Sequence, residues 1–302
     1  MLKSLTVLGA CLVATSPIAA AAAQTPGVAV APAQPATGQN VAVAGGRSLH
    51  VMVAQSEIKS DINLSNVAVA TGGGMLGALI GAAVDSARAK KAEALITPVR
   101  TGMAGVDADA MAIDAAKAAF ANAQWNTVAE PNFSKDSSPV GKSAYLDSNA
   151  NAETAFVEYT YDLSPTFDAL RVVESIQVAA KTVPAANKPE KRLQPKYLVY
   201  SGSVASVVLL PDAMKDKDAN AARWAADNGK LARAALEQAF ARLKATTPRL
   251  LAMTAAEQDA LTREKANKWI FAGGYRGRPQ AAANGETLLW TGGGFVHVAP
   301  VN

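Results

Sequence analysis

Cysteine is nearly missing from this chain. Its 302 residues hold one, Cys11, and only two histidines, His50 and His297. A single thiol excludes an internal disulfide and a zinc site built from several cysteines. The signatures HExxH, GxSxG, the Walker loop and the EF-hand acid spacing are all absent, which removes the common routes to metal, acyl-transfer and phosphate chemistry. Both histidines fall in segments that alternate like strands, where a lone histidine is usually structural. The sequence therefore assigns no catalytic residue, no metal ligand and no cofactor, and it does not read as an enzyme. Charge is also thin. Charged residues make up 18% of the chain and the net charge is +4, too little for the dense basic patch that nucleic-acid binding uses.

What is present begins with an export signal. Lys3 supplies the positive start, Leu5 to Val13 the apolar stretch, and Ala21 and Ala23 a small-x-small cleavage site. Cleavage there starts the mature chain at Gln24 and removes its only cysteine. Leu8-Gly9-Ala10-Cys11 resembles the lipobox of bacterial lipoproteins, which makes Cys11 a lipidation candidate with only about six apolar residues before it, fewer than the usual h-region. Cleavage after Ala23 is the favoured expectation. Export places the protein in the periplasm or at the outer-membrane periphery. Residues 24–46 are rich in Ala, Val, Pro and Gly and uncharged, the composition of a linker. Residues 47–302 suffice for a single domain with its own core.

One segment stands apart. Val67 to Val84 reads VAVATGGGMLGALIGAAV, with Gly73, Gly77 and Gly81 recurring every four residues. On a helix they form one stripe without side chains, the surface by which small-xxx-small helices approach backbone to backbone. Eighteen such residues sit at the lower limit for a membrane span, and also occur in buried core helices. Asp61 and Asp85 bracket the run, and Arg88, Lys90 and Lys91 follow it. Such a cluster either lies on a solvated helix face or contacts anionic lipid, at about 1 kcal/mol per basic residue. Each glycine weakens an isolated helix by about 1 kcal/mol against alanine, so five in this run call for close packing against something.

The rest alternates between strand and helix patterns. Ser48 to Ile58 reads as a first strand, and Pro98 as the interruption of an amphipathic basic helix that follows the glycine run. Asp107 to Trp125 reads as a helix with acids in its first turn and Met111, Ala115, Phe120 and Trp125 on its apolar face. Ala155 to Leu163, the stretch from Leu170 to Val178, and Tyr197 to Leu210 predict an antiparallel meander, with Gly202 marking a bulge or bend. Glu158 and Asp162 fall on its solvated face. Glu174 intrudes on the apolar face and needs a partner if buried, Arg171 or a lysine of the basic loop Lys188 to Lys196. Tyr159, Tyr161, Tyr197 and Tyr200 crowd the same sheet, as packing pairs or as a partner surface. Ala219 to Ala245 predicts a helix with Ala232, Leu236, Phe240 and Leu243 on one stripe. Pro248 separates it from a second helix, Thr254 to Ile270, opened by a capping box at Thr254 and Glu257. The segment from Asn284 to Val298 reads as a hairpin, LLW and FVHV around Thr291-Gly-Gly-Gly294. Strands with segregated helices predict an α+β domain preceded by a glycine-rich apolar helix.

The run GGGMLGALIGAAVDSARAKK resembles the glycine-zipper segments of bacterial envelope proteins, over about 20 of the 302 residues. The resemblance implies an envelope setting and close helix packing, not an activity. Those proteins commonly carry two tandem zipper helices, whereas this chain has one, which favours self-association or packing on the soluble domain over an internal hairpin. Two readings follow. In the first, a non-catalytic envelope protein uses the glycine helix to contact a membrane, a second copy or a partner protein. In the second, a soluble periplasmic binding or chaperone-like module buries that helix in its core.

Overall fold

The computed structural model describes residues 46–61, 75–122, 130–182, 193–194, 197–263, 268–283 and 285–302, with side chains for all but 75–85 and 282–283. The export signal, Cys11, the linker up to residue 45, Gly73, Trp125 and most of the basic loop lie outside these residues.

The fold is α+β. Its centre is the expected meander: β4 (Glu153–Leu163), β5 (Ala169–Ala180) and β6 (Leu198–Leu209) pair antiparallel in chain order. One face of each carries the apolar alternates, and these pack under helices. Val157, Tyr159 and Tyr161 of β4, Val172 and Ile176 of β5 and Tyr200 and Val204 of β6 share one core with the helices α1 (Met75–Gly102), α2 (Ala108–Asn122) and α4 (Lys217–Ala252). The predicted stripe Ala232, Leu236, Phe240 and Leu243 lies in that core, and Trp224 donates its indole N–H to the Phe167 carbonyl at 2.8 Å.

The sheet is larger than the meander. β1 (Arg47–Met52) pairs parallel with β4 and with β3 (Asn132–Ser134), and β2 (Lys59–Ser60) also adds parallel to β4. On the other side β10 (Gly294–Pro300) inserts parallel to β6 and carries β9 (Glu286–Trp290), β8 (Tyr275–Ala283) and β7 (Ile270–Ala272) outward, giving the order β3-β1-β4-β5-β6-β10-β9-β8-β7. The first strand therefore ends at Met52 rather than Ile58. The opposite face is covered at its two ends. Leu146 of α3 (Pro139–Ser148) packs on Met52, Phe156 and Ala179, while Tyr275 of β8 packs with Val207 and Val298.

Three expected helix ends fall elsewhere. Pro98 lies inside α1 and Pro248 inside α4. In each case the carbonyl left without a donor belongs to an exposed residue, Ala94 or Lys244, so solvent access offsets the lost bond and the helix continues. α4 instead breaks at Ala226–Gly229, where Asp227, Asn228 and Gly229 take left-handed φ of 51°, 55° and 69°. The Asn and Gly types tolerate that conformation. Helix α5 (Ala255–Arg263) opens with the predicted capping box: Thr254 N–H donates to Glu257 Oε2 at 2.7 Å and Glu257 N–H to Thr254 Oγ1 at 3.2 Å. It stops before Ile270, which begins β7. Gly202 is not a bulge. The register shifts at Val178/Ala179, opposite the extra residue Val199, and Gly202 is small because a Cβ there would run into the Tyr200 hydroxyl.

Candidate assembly and membrane-contact site

Helix α1 is unbroken from Met75 to Gly102, so Gly77 and Gly81 stand on the helix that enters the core. The described side chains divide it in two. Ser86 to Arg88, Lys90 and Lys91 are exposed, whereas Ala92, Ile96 and Val99 are buried. The spacing of the buried positions is that of one helical face.

That face docks on the first segment of α4, and the two run in the same direction. Lys91 Nζ meets Asp218 Oδ2 at 3.0 Å, and Gly102 lies against Gly229 eleven residues later on both helices. A Cβ on Gly102 would approach Gly229 N to 2.7 Å, so the backbones touch. The α1 terminus is then closed from α4, because Arg233 donates to the carbonyls of Gly102 and Ala104. Arg100 ties the same end to the sheet side through Ile58 O at 2.9 Å, and pairs with Glu93 and Glu57. Lys91, one of three candidate lipid contacts, is thus held by the domain, while Arg88 and Lys90 make no ion pair among the described residues.

α4 begins at Lys217, level with Lys90 and Lys91. Fifteen residues of α1, Met75 to Ala89, continue past that point, about 22 Å of helix at 1.5 Å per residue. Gly81 lies eighteen residues before Val99, about five full turns, on the same stripe. The docking face of α1 therefore continues as the glycine face where α4 no longer runs beside it. The surroundings of Gly77 and Gly81, like those of the rest of 75–85, lie outside what the structure describes. Among those residues no helix is long and apolar enough to cross a membrane.

The other residues singled out by the sequence are dispersed. His50 on β1 stacks on Tyr145, with ring centroids 3.9 Å apart, and burial, with the Lys142 charge adding to it, lowers its pKa to about 4. His297 on β10 meets Glu286 at 3.1 Å, and burial together with Arg242 lowers its pKa. Three strands separate the two histidines, about 19 Å at the usual strand spacing. No group of three or more His, Cys, Asp or Glu that could hold a metal occurs among the described residues. Glu158 and Asp162 are ion-paired rather than simply solvated: Lys142 reaches Glu158 at 2.9 Å, and Arg171 bridges Asp162 at 2.6 Å and Asp61 at 2.8 Å.

Glu174 is fully buried, and neither Arg171 nor a lysine is its partner. Arg171 is an odd number of positions away on β5 and lies on the other face. Tyr159, directly across the ladder, donates to Glu174 Oε1 at 2.8 Å, and Thr247 of α4 donates to Oε2. Burial pushes the carboxyl pKa up to about 7 against the pull of these two hydrogen bonds, and burial with the Glu174 charge raises Tyr159 and Tyr200. Tyr159, Tyr161 and Tyr200 are thus core residues, while Tyr197 lies just outside β6 and is exposed.

The sequence reading missed the β7–β8 hairpin altogether. Its signal was the pair Gly273-Gly274 between the apolar run Trp269-Ile-Phe-Ala and Tyr275, a two-residue turn dipeptide. Both glycines take positive φ, 56° and 82°, as a type I′ turn requires. No family model, no curated protein and no solved structure matches the chain.

Proposed function

We propose that this is a non-catalytic cell-envelope protein, exported to the periplasm or the outer-membrane periphery, whose α+β domain presents a glycine-striped apolar helix for assembly. The helix packs against a second copy or a partner helix, at or in a membrane whose anionic surface Arg88 and Lys90 contact. The observation that carries this reading is the continuity of α1: the face that docks on α4 through Ala92, Ile96 and Val99 continues into the Gly81 and Gly77 stripe beyond the start of α4. A helix rich in glycine is weak alone, and close packing on another helix compensates it.

The test pairs Gly77→Ile with Gly77→Ala, read by crosslinking in the envelope fraction and by carbonate extraction. Isoleucine should abolish the crosslinked oligomer and alanine should weaken it little. A monomer released by carbonate, unchanged by either substitution, would return the protein to the class of soluble periplasmic modules.

A further inference from the structure

The β7–β8 hairpin carries the most exposed large apolar side chain among the described residues, Phe271, at 76%, with Ile270 beside it at 41%. Consecutive strand residues point to opposite sides, so at Ile270 and Phe271 β7 is open on both faces, while its last residue, Ala272, packs against the cluster of Val207, Tyr275 and Val298. This is not a loose loop. Ala272 and Tyr275 close a two-residue turn, Tyr275 is buried, and a Cβ on Gly273 would sit 2.9 Å from Val207 and 3.0 Å from Val298. The sheet thus holds the turn of the hairpin in close packing while Ile270 and Phe271 of its outer strand face solvent.

Within the hairpin segment itself the charge has one sign, whereas Asp61 and Asp162, both paired to Arg171, act on Tyr275 beside its turn. From Lys268 to Gly285 the chain contains Lys268, Arg276 and Arg278 and no acid. Arg276 faces Phe271 across the hairpin, its guanidinium 5.8 Å from the ring centroid. Trp269, half-buried, flanks the pair.

From this arrangement we infer that the hairpin is a peripheral membrane-binding element that inserts Phe271 and Ile270 into the headgroup region of an anionic phospholipid surface. Two apolar side chains on a three-residue edge offer far less than the roughly 800 Å² per partner of a stable protein interface. A bilayer needs only a few inserted side chains backed by cations, and aromatic residues favour that boundary. The site is separate from α1 and does not depend on the glycine stripe.

The experiment uses the processed chain, purified from an exporting host, in flotation with vesicles of equimolar phosphatidylglycerol and phosphatidylcholine, and of phosphatidylcholine alone. The chain should bind the anionic vesicles and not the neutral ones. The double change Ile270→Ser and Phe271→Ser should lower partitioning by about tenfold, and Arg276→Gln by roughly fivefold, the effect of one cation near the surface. Because these side chains are exposed, thermal melts should stay unchanged. Phe271→Trp should keep binding and be quenched by brominated lipid. Binding that survives the double change but falls with Arg88→Gln and Lys90→Gln would assign the lipid contact to α1 and overturn the hairpin. So would concentration-dependent dimers that the serine changes dissolve without any vesicle binding, which would make β7 a pairing edge for a second copy. Neither outcome touches the crosslinking result at Gly77.

Discussion

Glu174→Gln should leave the protein unaffected in mild acid and make it more stable at neutral pH and above. In the folded chain, burial holds the Glu174 pKa at about 7, and unfolding returns it to its ordinary value of 4.5. Between those values the folded state binds a proton that the unfolded state releases. The folded carboxyl is therefore most favourable below about pH 4.5, and stability falls as pH rises towards 7. At about 1.4 kcal/mol per tenfold, the penalty levels off near 3 kcal/mol above neutrality. Glutamine matches the shape of the protonated acid. Its carbonyl can accept from Tyr159, and its amide can donate to Thr247, whose hydroxyl turns to accept. Urea unfolding of both chains from about pH 4.5 to about pH 8 measures the effect, and their difference cancels every other titrating group. The difference should grow from nothing to about 3 kcal/mol in favour of glutamine, or roughly 6–12 °C in Tm for a domain of this size. A difference that does not change with pH would refute the argument. So would one in which the natural chain gains on the variant as pH rises.

Gly102→Ala should destabilise the domain, because the new methyl meets Gly229 backbone 2.7 Å away and overpacking of about 1–3 kcal/mol exceeds the about 1 kcal/mol gain in helix propensity; urea unfolding would show it. His50 titrates in the opposite sense to Glu174. With its pKa lowered to about 4 from 6.5, stability present above pH 6.5 is lost as pH falls through 4, and His50→Gln should flatten that acid limb in a melt series. His50→Gln and His297→Gln should both leave the oligomer and its envelope fractionation intact, since neither residue lies on α1.

The faces of the meander were legible before the structure, since strict alternation from Val157 to Leu163 and from Leu170 to Val178 separates the core side from the other. The capping box at Thr254 and the stripe from Ala232 to Leu243 were legible for the same reason: each is written within one turn or one helical repeat. Pairing across long separations was not. Nothing within Arg47–Met52 or Gly294–Pro300 says that these strands run parallel to β4 and β6, because alternation fixes a face and leaves the neighbour open. Glu174 could be singled out as the uncomfortable residue of β5. Its partners could not, since Thr247 lies 73 residues away on α4. Prolines misled twice, at Pro98 and Pro248, because the rule that proline ends a helix relaxes where the freed carbonyl faces water. At the candidate site, the glycine stripe was visible in the sequence. That it continues the docking face of α1 past the start of α4 required the contacts of Lys91 and Gly102.

The insertion of β10 between β6 and β9 imposes an order on how the chain assembles. Ser203 and Gly294 are neighbours in the sheet but 91 positions apart in the chain, so this seam closes only after a long loop has been gathered, a slow step by its topology. The meander and its helices can form without it, and in that interval β6 offers a row of unsatisfied N–H and C=O groups from Ser203 to Leu209. Such an open edge is a template for any extended strand that reaches it. A second, incompletely folded copy presents the same GFVHVAP segment as the native strand does. The cost of placing β10 inside the sheet is thus a window of exposure to strand exchange, and the concentration at which copies meet during that window decides whether refolding gives correctly closed chains or swapped, entangled ones.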